Sequence, residues 1–367
     1  MPRNRELYRG RKKRRPWLRI VLIILAVLIT AALLLFYGLQ KYIVYTPNGL
    51  KLELPILQQA SGTDTAASST DASGEGGGLV IDKTDYSNIQ AKAGADISAV
   101  KGILVPYDKI TADGIKEYAD RLSAGNALVL ELKTASGKLA WASKEREATA
   151  FDLAGTADLK TIVASLKAEK PEVWLVGQLS CCIDDLMAQR NSPVALKKAD
   201  GSPYSDDEGA WLDPYNTEVR DYIAALAKEL ADMGFDEILL TNVSHPQTDP
   251  ANLKYSAAST NATAQSAVTS FSLAVTRALS GTDAVLSVVG TRAAITKAAD
   301  NLNGQDIEVL MKLFDRVYCY TSASEYKTYM DDCAAYVTVG DIKTRFVPIC
   351  TGNLPDTDCW VLAESAG

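Results

Sequence analysis

The chain has 367 residues, with 38 Lys and Arg against 45 Asp and Glu, a formal net charge of −7 and one histidine. That balance argues against nucleic acid as a partner, because phosphate binding rests on clustered cations. A single histidine, His245, excludes His-rich zinc sites and HExxH hydrolases, and no Cys-x-x-Cys spacing supports a metal site, so no cofactor is implied.

The N-terminus concentrates the positive charge. Residues 1–40 hold nine Lys or Arg and one Glu, a net of +8, which leaves −15 on residues 41–367 out of −7 overall. Residues 1–19 read as a basic cytoplasmic tail. Residues 20–40 carry no charge, and at 1.5 Å per residue such a run crosses a hydrocarbon core of about 30 Å. The basic cluster on the N-terminal side predicts a single-pass signal anchor at the cell membrane, with the remainder outside the cell. Residues 41–59 follow as a β-prone juxtamembrane segment with an Asn48-Gly49 turn signal. Residues 60–99 read as a linker, because the tract from Ala60 to Gly78 is rich in Ser, Thr, Ala, Asp and Gly and has no apolar periodicity.

From residue 100 to 367, strand and helix patterns alternate. Strands are expected at Gly102–Pro106, Asn126–Lys133, Glu172–Leu179, Asp236–Val243, Ala284–Val289, Arg316–Tyr320, Arg345–Cys350 and Cys359–Ala363. Helices are expected near Thr111–Ser123, Asp158–Lys167, Ala262–Leu279 and Gln305–Phe314. A further helix follows Asn216, a plausible N-cap with Glu218 in the first turn, and Gly234 suits its left-handed C-terminal residue. Eight short strands alternating with helices predict an α/β fold of the (β/α)8 TIM-barrel type. An open doubly wound sheet is the runner-up, but no Gly-rich phosphate turn follows the first strand. Only Thr351 to Asp358 separate the last two strands, too few residues for a helical crossover. Either the last βα unit is degenerate or the eighth strand is misplaced.

The segment from Gly209 to Pro246 carries a family resemblance. Trp211-Leu212-Asp213-Pro214-Tyr215-Asn216 and Gly234-Phe235-Asp236-Glu237-Ile238 resemble the WLDPYN and GFDEI motifs of a bacterial glycosyl hydrolase domain family, found in membrane-anchored or secreted proteins and expected to form TIM barrels. Val100–Ile103, Asn126–Lys133 with Gly137, and Gly304-Gln305-Asp306 are weaker matches, and the resemblance spans roughly residues 100–330. At the end of strand four it breaks down: Thr241 stands where the family has Asp, and Ser244 where it has Arg. Ser287 also falls at a family Asp position in strand five.

Glycoside hydrolysis uses two carboxyl groups flanking the scissile bond. Glu131, which replaces a family Asp in strand two, and Asp213 are the candidate catalytic pair. Asp184, Asp185, Asp206, Asp207 and Glu208 in the third loop are substitutes. Asp213 has an equally concrete structural role open to it, since an Asp before Pro-Tyr-Asn can bond backbone N–H groups. Lys133, Trp211, Tyr215, Thr241, Asn242, His245 and Tyr320 are the candidate substrate-binding residues, at strand ends or in the third loop. The six cysteines permit disulfides outside the cell, and Cys350 with Cys359 is the first pair to consider.

Two functions remain open from sequence. One is a membrane-anchored glycoside hydrolase of reduced activity acting on polysaccharide. The other is an inactive barrel that binds cell-wall glycan or organises surface partners.

Overall fold

A computed structural model of the chain describes residues 43–46, 49–52, 97–122, 125–249, 252–255, 263–298 and 300–364. The chain divides into two units, Met1–Ser73 and Gly74–Gly367. In the first, Ile43–Thr46 pairs antiparallel with Gly49–Leu52, and the register sets Thr46 opposite Gly49. The predicted membrane span, residues 20–40, lies outside the described residues. Among the described residues no helix is long and apolar enough to cross a membrane.

The barrel of the second unit is built from β1 (Lys101–Val105), β2 (Ala127–Lys133), β3 (Trp174–Ser180), β4 (Glu237–Thr241), β5 (Val285–Val289), β6 (Arg316–Tyr320), β7 (Phe346–Thr351) and β8 (Trp360–Ala363). They form one closed barrel in chain order. Every pairing is parallel, including β8 to β1 through Trp360 opposite Lys101. All eight predicted strands are present, each within two residues of its expected bounds. β7 and β8 are joined without a helix, so the last βα unit is degenerate and the eighth strand was placed correctly.

Helices α1 (Ala112–Asp120), α2 (Leu159–Glu169), α3 (Thr217–Asp232), α4 (Ala264–Ala278), α5 (Ile307–Leu313) and α6 (Tyr326–Ala334) connect the strands. α3 shows how local sequence fixes them. The Asn216 side chain accepts from the Glu218 N–H, which satisfies one orphan donor of the first turn. Val219, Tyr222, Ile223, Leu226 and Leu230 form its buried face. Gly234 then turns the chain at φ +98°, a region open to glycine. α6 was not anticipated, because its sequence YKTYMDDCA buries only Cys333 and shows little periodicity.

Alternation along the strands builds two cores. Leu128, Leu130, Leu175, Ile238, Leu240 and Leu286 point outward to the helices. Val129, Val176, Leu239, Tyr318, Val347 and Val361 fill the barrel interior. At one point the interior is polar. Glu237, fully buried, accepts from Trp174 Nε1, Tyr318 Oη and Arg316 Nη1, each at 2.9 Å, and from Ser287 Oγ. Ser287 thus faces the barrel axis in mid-strand and bonds a core carboxylate, so it is not a lost strand-end acid.

All six cysteines are free and buried. The suggested Cys350–Cys359 bridge is not formed. Cys359 belongs to the interior cluster, while Cys350 follows inward-facing Ile349 and takes the opposite face. Ile349 pairs with Val361, so the two cysteines also sit about three residues, roughly 10 Å, apart along the strand direction. Burial pushes the Cys182 and Cys319 thiols up to about 12, which disfavours thiolate chemistry.

The Glu237 network makes a measurable prediction. Arg316→Met leaves a buried carboxylate without its cation and is expected to cost about 3–5 kcal/mol in urea denaturation. Adding Glu237→Gln in the same chain should recover most of that loss. Equal stability of the single variant and the wild type would show that the ion pair contributes nothing.

Candidate active site at the barrel mouth

The C-terminal ends of the strands open on a pocket of about 460 Å³. Its wall takes Glu131 and Lys133 from β2, Gln178 and Ser180 from β3, Thr241 and Asn242 at the end of β4, and Arg292 and Tyr320 beyond β5 and on β6. Glu208, from the loop after β3, closes one side. This is the end of a parallel barrel where catalytic and binding groups collect.

Register explains the arrangement. Glu131 pairs with Gln178 in the ladder, but Lys133 pairs with Leu179, so β2 carries a bulge between them. A bulge bends the strand and re-aims the following side chain. Glu131 is half-buried, and its Oε2 accepts from the Tyr107 N–H at 3.2 Å. No ion pair involves it among the described residues.

Lys133 is fully buried. Its Nζ donates to the Ser180 carbonyl at 2.8 Å and lies 2.8 Å from Asp184 Oδ2, whose carboxylate is also fully buried. Asp184 Oδ1 accepts from the Met187 N–H at 2.7 Å and caps the short helix Asp185–Arg190. Gly137 fits against this pair at φ +88°; a Cβ there would stand 1.9 Å from Asp184 Oδ1. Lys133 therefore lines the pocket with its charge already matched, and Gly137 is the space that allows it.

Thr241 donates its hydroxyl to the Leu179 carbonyl at 3.3 Å. Asn242 adopts φ +54°, a conformation Asn tolerates, and donates Nδ2–H to Ser180 Oγ at 3.0 Å. Ser180 Oγ in turn donates to the Ile183 carbonyl at 2.9 Å. Tyr320 is 46% exposed at the rim. Desolvation of its hydroxyl raises its pKa and the charge of Glu131 adds to that, while a hydrogen bond from Gln178 opposes both.

Five of the nine sequence candidates thus meet at the mouth: Glu131, Lys133, Thr241, Asn242 and Tyr320. The other four are not among the lining residues. Asp213 is 1% exposed, and its Oδ1 accepts from the Tyr215 N–H at 2.9 Å. Burial lowers the pKa of nearby Arg220, with the charge of Asp213 opposing. Trp211 is buried and donates Nε1–H to Asp206 Oδ2 at 2.9 Å. Tyr215 donates its hydroxyl to the Thr263 carbonyl. His245, buried, packs with Tyr215 and Tyr255 at ring-centroid distances of 5.8 and 5.3 Å. The WLDPYN segment folds the third loop in the manner of a structural brace.

Gln178 and Arg292 were not singled out from sequence. Gln178 was legible in principle, as a polar residue in register with inward-facing Trp174 and Val176 of an otherwise apolar strand. Arg292 was not, because a short helix at Arg292–Ile295 brings it to the rim.

Fold and mouth together define a TIM-type α/β barrel with carboxylates at its catalytic end. Residues 116–339 match the family described as "Putative glycosyl hydrolase domain", and the chain belongs to that family. Among solved structures it is similar to the PgaB (BpsB) glycoside hydrolase domain from Bordetella bronchiseptica, at 14% identity over 69% of this chain and 84% of that one, with a TM-score of 0.52. It is also similar to a hypothetical protein from Ruminiclostridium thermocellum, at 20% identity over 51% and 96% of the two chains, with a TM-score of 0.45. A third similar structure is Aspergillus fumigatus Ega3 in complex with galactosamine, at 12% identity over 71% and 80%, with a TM-score of 0.43. At these identities the likeness concerns the fold. No curated protein matches the chain.

His245 gives the loop brace a pH signature. Burial lowers its pKa to about 3, and neither ring nitrogen has a hydrogen-bond partner among the described residues. Below the unfolded value near 6.5 the unfolded chain binds a proton that the native chain refuses. Stability is therefore complete above about pH 6.5 and falls towards pH 3, by up to about 1.4 kcal/mol per pH unit. Urea midpoints between pH 4 and 6 should fall less steeply for His245→Phe than for wild type; identical slopes would exclude His245 as the source.

Proposed function

We propose that the chain is a cell-surface carbohydrate-active barrel that binds polysaccharide at its mouth and hydrolyses it slowly. The observation that carries this reading is the placement of Glu131 and Glu208 on one pocket at the catalytic end of the barrel. One carboxyl group of such a pair protonates the leaving oxygen, and the other attacks the anomeric carbon or activates water. Glu131 is the fixed member, held by the Tyr107 N–H. Glu208 is the exposed member, on the turn between Ser205–Asp206 and Gly209–Ala210. Asp213, bound to its own loop, takes no part in the chemistry on this reading.

Reduced catalysis follows from Thr241. Its hydroxyl brings no negative charge to an oxocarbenium-like centre, and its proton is already given to Leu179. That same residue favours the second reading, a barrel that binds glycan without cleaving it. Reducing-end release by the full chain on a panel of bacterial and plant polysaccharides separates the two. Weak turnover that falls by 10²-fold or more in Glu131→Gln is the expected result. Bound glycan with no release from any substrate would establish the non-hydrolytic binder.

The surface location rests on residues 1–40: nine cations ahead of an uncharged stretch long enough to span a bilayer. Protease added to intact cells should remove the barrel while sparing the N-terminal tail. Protection of the barrel until the cells are lysed would place it on the inner side.

A further inference from the structure

The polar groups of the mouth are unevenly used. Its donors are largely committed to the protein. Lys133 Nζ is held by Ser180 and Asp184, Thr241 Oγ1 by Leu179, and Asn242 Nδ2 by Ser180 Oγ. Arg292 donates Nε–H to the Tyr320 carbonyl at 3.1 Å, and its Nη2 lies 3.9 Å from Glu325.

The acceptors are left over. Gln178 is only 5% exposed, lines the pocket, and its Oε1 has no hydrogen-bond partner among the described residues. A buried amide oxygen without a donor carries a desolvation cost that a ligand N–H or O–H would relieve. Glu131 has one oxygen engaged by Tyr107. Neither Glu131 nor Glu208 forms an ion pair among the described residues, whereas the cations lining the same pocket each have an acidic neighbour: Asp184 for Lys133 and Glu325 for Arg292. The mouth therefore presents a buried orphan acceptor together with two uncompensated carboxylates.

We propose that the saccharide taken at this mouth is an amino sugar presenting a protonated amine, with Glu131, Glu208 and Gln178 Oε1 as its acceptors. This rests on the carbohydrate reading above and adds the substrate class. An ammonium offers three donors and one positive charge, and so answers both imbalances with a single group. An N-acetyl group offers one N–H and no charge, and a uronate adds a third negative charge beside the two already present.

Isothermal titration of the full chain with glucosamine, N-acetylglucosamine, glucose and galacturonate oligomers of equal length tests this. The glucosamine oligomer should bind at least tenfold more tightly than the other three. The preference should shrink to less than threefold in 0.5 M NaCl and in the isosteric Glu131→Gln/Glu208→Gln variant. Gln178→Leu, which removes the orphan acceptor, should weaken glucosamine binding while leaving the thermal midpoint unchanged or higher. Equal or tighter binding of the acetylated, neutral or acidic oligomers would overturn the amino-sugar assignment and leave the carbohydrate reading standing. Binding of none of the four would overturn both.

Discussion

One carboxylate holds the barrel together across its axis. Glu237 accepts from β3, β5 and β6 at once, through Trp174, Ser287, and Arg316 with Tyr318. A buried anion is tolerable only where cation and hydrogen bonds together replace water, and the four donors do so here. Because they come from three strands besides the one that carries Glu237, the network specifies mutual strand position more strictly than the apolar residues around it. Hydrophobic burial supplies the larger share of stability, and Glu237 supplies direction.

A second buried pair does comparable work at the other end. Lys133 and Asp184 tie β2 to the loop after β3, next to a glycine that admits nothing larger. The two pairs differ in consequence. Glu237 lies within the packed interior and sets only geometry. Lys133 lies on the pocket wall, and by giving its charge to Asp184 it leaves the mouth to Glu131 and Glu208. Electrostatic character at the mouth is thus decided by a partner that does not line it.

The fold was legible because each strand is a short apolar run between turn residues, and burial on both faces leaves that signature even in single segments. The helix-free link into β8 was visible as a length that no crossover could fit. The site was legible in part. Glu131 and Thr241 could be placed because strand ends in a barrel point to one face. Asp213 and His245 could not: motif and position suggested the mouth, but Asp213 is buried and accepts from the Tyr215 N–H, and His245 is buried against Tyr215 and Tyr255, which local sequence does not specify. Glu208 was one of several acids in an acidic loop, and only the hairpin around Gly209 distinguishes it from the rest. The family match covers residues 116–339, which include β2 to β6 of the barrel.

The closure of β8 on β1 has a kinetic consequence. The ladder joins segments about 260 residues apart, as in the contact from Val100 N–H to Cys359 Sγ, separated by 259 positions. Contacts so remote are slow to form, because nearly the whole chain must be ordered before they gain anything. Until then β1 and β7 are open parallel edges, the kind of surface on which chains pair with one another. A strand of four residues is thus the latch of the whole domain, and recovery of native barrel on refolding should depend more on protein concentration than on the strength of the core.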